Sequence, residues 1–113
     1  MSEDIDGDNL VYIVSDILFN LGLNNTLLGF DYLVNAIILL NKYNYCDMGE
    51  IENIIAKKFN TTIDCVEQCM RYCIGRYLRK SLTFTQEFFN YNTRNITASI
   101  LVYKVHYYLH KTI

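Results

Sequence analysis

The sequence contains no proline, and only five of its 113 residues are glycine. Small β sandwiches and barrels use both residues in their many tight turns, so this scarcity favours helices over a turn-rich β fold. Tryptophan is absent as well, yet 51% of the residues are hydrophobic, which is enough for a compact core. The length suits one domain and leaves no room for two.

No uninterrupted apolar stretch reaches the roughly 18 residues that a membrane span requires. The first nine residues are polar and acidic, whereas a signal peptide begins with basic residues and continues with apolar ones. We therefore expect a cytoplasmic protein with no membrane partner. Residues 1–8 are predicted to be an acidic, flexible tail and residues 9–113 a single folded domain.

The net charge is slightly negative, at −2, which argues mildly against a nucleic-acid-binding protein. The charges are unevenly distributed, however. Up to Glu50 the sequence has one basic residue, Lys42, among many acidic ones, and after Glu50 basic residues outnumber acidic ones. One part of the surface can therefore be basic although the whole chain is acidic.

Apolar residues recur with the three- and four-residue spacing of amphipathic helices along most of the chain. Gly22 is a plausible helix end, and Asp47 and Thr62 are suited to capping the helices that follow them. The pattern predicts an all-α fold, a bundle-like domain of six helices. Their expected ranges are 9–21, 25–43, 48–59, 63–79, 84–89 and 97–110.

The third and fourth predicted helices are separated only by the polar residues Asn60, Thr61 and Thr62. A short helix, a three-residue break and a longer helix have the spacing of a helix-turn-helix. In DNA-binding examples the start of the second helix enters the major groove. Helical hairpins without a DNA function share this spacing, so the pattern alone leaves both interpretations open.

Residues 55–62, with the sequence IAKKFNTT, are followed by Val66, Glu67, Arg71 and Ile74. This stretch resembles the C-terminal DNA-binding effector domain of the stage zero sporulation protein A family. Residues 29–33 and 89–91 are similar to that family too, and the resemblance extends over about residues 10–110. It implies a six-helix domain that binds short promoter boxes, often as tandem copies.

The chain departs from the family pattern at three positions. Cys65 and Gln68 stand where the family carries arginine, and Tyr72 stands where it carries histidine. The family's phosphorylatable receiver domain is absent. The resemblance therefore predicts a stand-alone effector domain that is not gated by phosphorylation.

The predicted base contacts come from the fourth helix. Arg71 can donate two hydrogen bonds to guanine and Gln68 can pair with adenine, while Glu67 can accept from cytosine or orient Arg71. Phosphate contacts are expected from a second set of residues, because the free N–H groups at a helix start and cationic side chains both attract anions. This set comprises Lys57, Lys58, Thr61, Thr62, Arg79 and Lys80. Ordinary solvated surface residues are the competing interpretation. One basic face is expected, with the acidic residues of the first two helices turned away, and its members are Lys57, Lys58, Arg71, Arg79 and Lys80.

Cys65, Cys69 and Cys73 recur every four residues and so lie along one side of a helix. A structural zinc site normally takes four ligands from separate segments, so Cys69 and Cys73 are predicted to be small, buried, metal-free core residues. Cys65, near the helix start, can have some thiolate character. No metal or other cofactor is predicted. The sequence shows no nucleophile–base pair, glycine-rich phosphate loop or carboxylate dyad, so an enzyme is not expected.

Two functions follow from these observations. The first is a sequence-specific DNA-binding transcriptional regulator linked to sporulation, with double-stranded DNA and a second copy on tandem sites as partners. Arg71, the Lys57–Lys58 pair and the close match of the turn to the family favour it. The second is an interaction protein that antagonises a full-length sporulation regulator by pairing with its effector domain. The missing arginines and the acidic N-terminal half favour that alternative.

Overall fold

The computed structural model describes residues 7–43 and 47–112, and these form six α-helices with no strand among them. The helices are α1 (Gly7–Asn20), α2 (Leu28–Lys42), α3 (Met48–Lys58), α4 (Ile63–Tyr77), α5 (Thr83–Phe88) and α6 (Ala98–Thr112). The predicted all-α, six-helix fold is confirmed. Helix α1 begins two residues inside the segment expected to be a tail, and the rest of that segment lies outside the described residues.

Gly22 ends α1, as predicted. It adopts a φ of 99°, a left-handed conformation that favours glycine. The Gly22 N–H donates to the Phe19 carbonyl at 2.9 Å and the Leu23 N–H donates to the Leu18 carbonyl at 3.1 Å, which is the bonding pattern of a Schellman cap. The Arg79 N–H donates to the Leu21 carbonyl at 2.9 Å and so joins this end of α1 to the segment after α4.

The start of α2 differs from the expected position near residue 25. The Asn24 side-chain oxygen accepts hydrogen bonds from the Thr26 N–H at 2.9 Å and from the Thr26 hydroxyl at 2.6 Å. This local turn uses the polar groups that would otherwise cap a helix at that point. The helix consequently begins only at Leu28, after an N-cap residue, Leu27, whose side chain makes no capping bond.

Helix α2 is the centre of the domain, because it packs against α1, α3, α4 and α6. Its crossing with α4 is very close at Gly29. A Cβ atom at Gly29 would collide with the Cys69 carbonyl oxygen and would lie 2.9 Å from the Cys73 Cβ. Glycine therefore lets the two helix backbones approach, and this crossing fixes which side of α4 is buried.

The buried side of α4 is formed by Val66, Met70, Cys73 and Ile74. From α6, Leu101, Val102, Val105 and Leu109 complete the same core. The opposite side of α4 remains in solvent. None of the described helices has the length and apolar character needed to cross a lipid bilayer.

Candidate nucleic-acid interface

Helices α3 and α4 form a helix-turn-helix whose caps fix the turn between them. The Asp47 carboxylate accepts from the Glu50 N–H at 2.8 Å, and the Thr62 hydroxyl accepts from the Cys65 N–H at 3.1 Å, which confirms both predicted N-caps. Asn60 has a φ of 54°, and the Thr61 N–H donates to the Ala56 carbonyl at 2.8 Å. Asparagine is the non-glycine residue best suited to this left-handed position after a helix, a signal that sequence analysis did not use.

The end of α3 is anchored on α2. The rings of Phe59 and Tyr32 meet edge to face with centroids 5.1 Å apart. The Lys58 ammonium donates to the Asn35 side-chain oxygen at 2.7 Å, and the Asn35 amide in turn donates to the Asp31 carbonyl at 2.8 Å. These contacts hold the turn, and with it the start of α4, in a defined orientation.

The solvent side of α4 is called its outer face below, and a row of four of its exposed residues runs along the middle of that face at helical spacing. They are Asp64, Gln68, Tyr72 and Gly75. Sequence analysis placed only Gln68 among the site residues and overlooked Asp64 and Gly75. The spacing of four residues from Asp64 to Gln68 to Tyr72 was a usable signal, since such residues share one side of a helix.

On the α3 side of the outer face, Glu67 and Arg71 form an ion pair. The Arg71 guanidinium donates to the Glu67 carboxylate at 2.6 Å, with 72% of the arginine side chain and 47% of the glutamate side chain exposed. Glu52 of α3 lies near this pair, and partial burial, with a smaller contribution from Glu67, raises the pKa of Glu52. Glu67 is therefore paired with Arg71, and which of its two predicted roles it has on DNA stays a prediction.

On the α2 side of the outer face lie the thiols of Cys65 and Cys69, both half-buried. Burial, and then a hydrogen bond with the Cys65 thiol, raises the pKa of Cys69. Cys73 is fully buried, so the expectation of two buried core thiols is right for Cys73 and wrong for Cys69. Cys69 is turned from the buried stripe of α4 toward the outer face, which places it at the edge of the contact with α2.

The predicted phosphate contacts fall into two groups. Lys57, Lys58, Thr61 and Thr62 surround the start of α4, whereas Arg79 and Lys80 follow its end. Because α4 has 15 residues, the two groups are separated by about 22 Å at 1.5 Å per residue. All four cations are exposed. That they share one face of the molecule stays a prediction.

A groove lined mainly by aromatic side chains runs between α5 and α6. Its lining residues are Phe84, Glu87, Phe88, Asn90, Ile100, Tyr103, Lys104, Tyr107 and Tyr108. Tyr107 is 59% exposed, and the Lys104 ammonium lies 5.6 Å from the centroid of its ring. None of the lining residues belongs to α3 or α4. The groove is therefore a second surface, which sequence analysis did not predict.

The chain is similar to a known family over most of its length. The model of the family described as "Sporulation initiation factor Spo0A C terminal" matches residues 14–106. This range contains the whole helix-turn-helix and all the predicted contact residues. A comparison with curated proteins finds no match to the chain.

Proposed function

The chain belongs to the family of sporulation initiation factor Spo0A C-terminal domains, and from this premise we propose that it is a sequence-specific DNA-binding transcriptional regulator whose recognition helix is α4. The family implies a DNA-binding effector with a role in sporulation. The observation that carries the proposal is the exposed position of Gln68 and Arg71 on a recognition helix whose start is capped by Thr62.

Base readout is assigned to the first turns of α4, because that end of the helix reaches the floor of the major groove in this motif. Gln68 and Arg71 are three residues apart and project from neighbouring points of the helix surface. Arg71 must partly leave Glu67 to donate two hydrogen bonds to guanine. Exposed ion pairs contribute only about 0.2–1 kcal/mol, so this rearrangement is inexpensive.

Phosphate contacts are assigned to the residues around the start of α4. Free backbone N–H groups at a helix start favour an anion, and Thr61 and Thr62 lie there together with Lys57 and Lys58. Arg79 and Lys80 are assigned to phosphates beyond the other end of α4. Such contacts position the protein on the duplex without reading its sequence.

Binding is further proposed to need no phosphorylation. The helix-turn-helix is complete within α3 and α4, and Gln68 and Arg71 are exposed to solvent in the unmodified domain. Occupation of tandem boxes by two copies is part of the same proposal, on the strength of the family resemblance.

The groove between α5 and α6 favours a second candidate function. Exposed aromatic side chains are typical of protein–protein contacts, and here they lie on elements other than the helix-turn-helix. In this alternative the chain antagonises a full-length sporulation regulator by pairing with its effector domain.

A titration of the unphosphorylated protein with a labelled duplex carrying the family's promoter box tests the proposal. If Lys57, Lys58, Arg79 and Lys80 each neutralise one phosphate, the logarithm of the binding constant should fall with the logarithm of salt concentration with a slope of roughly −3.6. Replacing Lys58 by alanine should lower that slope by about one unit and weaken all sequences alike. Absence of DNA binding, together with capture of a full-length regulator's effector domain, would favour the alternative.

A further inference from the structure

The proposed DNA function leaves the two thiols on the α2 side of the outer face unused. Cys65 and Cys69 are one helical turn apart on the same side of α4, and both are half-buried. Cys73, one turn further on, is fully buried and is not available from solvent. The chain thus presents a pair of accessible soft ligands, separate from the thiol that belongs to the core.

The helical geometry favours a bridging ion over a disulfide for this pair. A disulfide requires Cβ atoms about 3.5–4.5 Å apart, whereas residues four apart on a helix have Cβ atoms about 5–6 Å apart. Forming the bond would therefore deform the first turns of α4. An ion bound between the two sulfur atoms spans the longer distance between the two side chains and leaves the helix intact.

The number of ligands selects the ion. A structural zinc site normally takes four ligands, and no group of three or more His, Cys, Asp or Glu side chains in the described part of the chain is arranged to hold a metal. Thiolates are soft ligands that select monovalent copper, which is stable with two of them. We propose that Cys65 and Cys69 form a two-thiolate binding site for monovalent copper.

Binding requires no redox step. Each thiol releases its proton to the solvent, and the resulting thiolates each form one bond to the copper ion, whose charge does not change. The surroundings suit a soft ion, because α2 packs against α4 and its Tyr32 is almost completely buried. Gly29 of α2 contacts the Cys69 backbone closely, so this wall of the site is held in place by the helix crossing.

The test is an anaerobic titration of the reduced, full-length protein with monovalent copper held by the chromogenic chelator bicinchoninate. We expect transfer of one copper ion per chain, with the protein still monomeric on a sizing column. Cys65→Ser and Cys69→Ser should each abolish the transfer while leaving the helical circular dichroism spectrum unchanged. Cys46→Ser, at a position outside the described residues, is the matched control and should bind as the parent does.

Four results would overturn the proposal. They are failure of the parent protein to take copper from the chelator, undiminished binding by Cys65→Ser, copper found only in dimers that share thiols between two chains, and zinc binding at least as tight as copper binding. None of these measurements involves DNA. The copper site and the proposed DNA function can therefore fail independently.

Discussion

The two sides of α4 differ sharply in how much change they can accept. On the buried side, the contact with α2 leaves no room for a single methyl group at Gly29. On the outer face, a Cβ atom at Gly75 would meet nothing within 4 Å. The comparison indicates that one side of α4 determines the fold and that the other is free to carry the proposed DNA contacts.

The largest expected effect on stability comes from adding a side chain at the close crossing of α2 and α4. Gly29→Ala forces a methyl group against the Cys69 carbonyl oxygen, which is backbone and cannot move without shifting α4. We expect a loss of up to about 3 kcal/mol in the free energy of unfolding, as for overpacked cores. Urea denaturation followed by circular dichroism measures it. A loss below about 0.5 kcal/mol, the range of ordinary surface substitutions, would show that the crossing is not tight.

The next largest effect concerns DNA binding and tests whether the outer face reads bases through Arg71. Arg71→Ala should cost roughly 1–3 kcal/mol of binding free energy on the family's box and relax the preference at one base pair. Arg76→Ala is the matched control, since Arg76 is exposed on the same helix but lies about 140° around it. Titrations against the box and its single-base variants measure both. Equal losses for the two variants would indicate a general charge effect without readout.

The cap between the two helices should have an intermediate effect. Thr62→Ala removes the hydroxyl that accepts from the Cys65 N–H, and helix caps of this kind contribute about 1 kcal/mol to stability. Thr62→Ser keeps the hydroxyl and should retain most of that stability. The denaturation midpoints of the two variants measure this difference. An equal loss of stability in both variants would mean that the hydroxyl does not provide the stabilisation.

The smallest effect should have the opposite sign. Gly75→Ala adds a methyl group in solvent and reduces the conformational freedom of the unfolded chain, so it should stabilise the domain by about 0.5–1 kcal/mol. Thermal unfolding beside the parent protein is the measurement. If this variant is as destabilised as Gly29→Ala, the two sides of α4 do not differ in the way described.

Much of the fold was predictable because its signals are local. The spacing of apolar residues marks the helices, and Gly22, Asp47 and Thr62 mark ends that depend on neighbouring backbone groups alone. The start of α2 was missed because Asn24 and Thr26 form a turn of their own. Propensity does not distinguish a side chain that caps a helix from one that closes the preceding turn.

The site was predictable only in part, because it depends on which side of α4 meets α2. The positions of Gln68 and Arg71 on the exposed side follow from helical spacing. The partial exposure of Cys69 depends on the crossing angle at Gly29, which no local pattern encodes. The groove between α5 and α6 likewise depends on how two successive helices pack against each other, which their separate sequence patterns do not encode.

The most direct test of the central claim is an NMR titration of the isotope-labelled protein with the family's box duplex, followed at every backbone amide. The account predicts that the largest shift changes fall on the turn at residues 59–62 and on α4 from Ile63 to Tyr72, with smaller changes at Lys57 and Lys58. The amides of α5 and α6 that border the groove should change little. Changes concentrated at that groove, or none anywhere at a saturating duplex concentration, would contradict the assignment of α4 as the recognition helix.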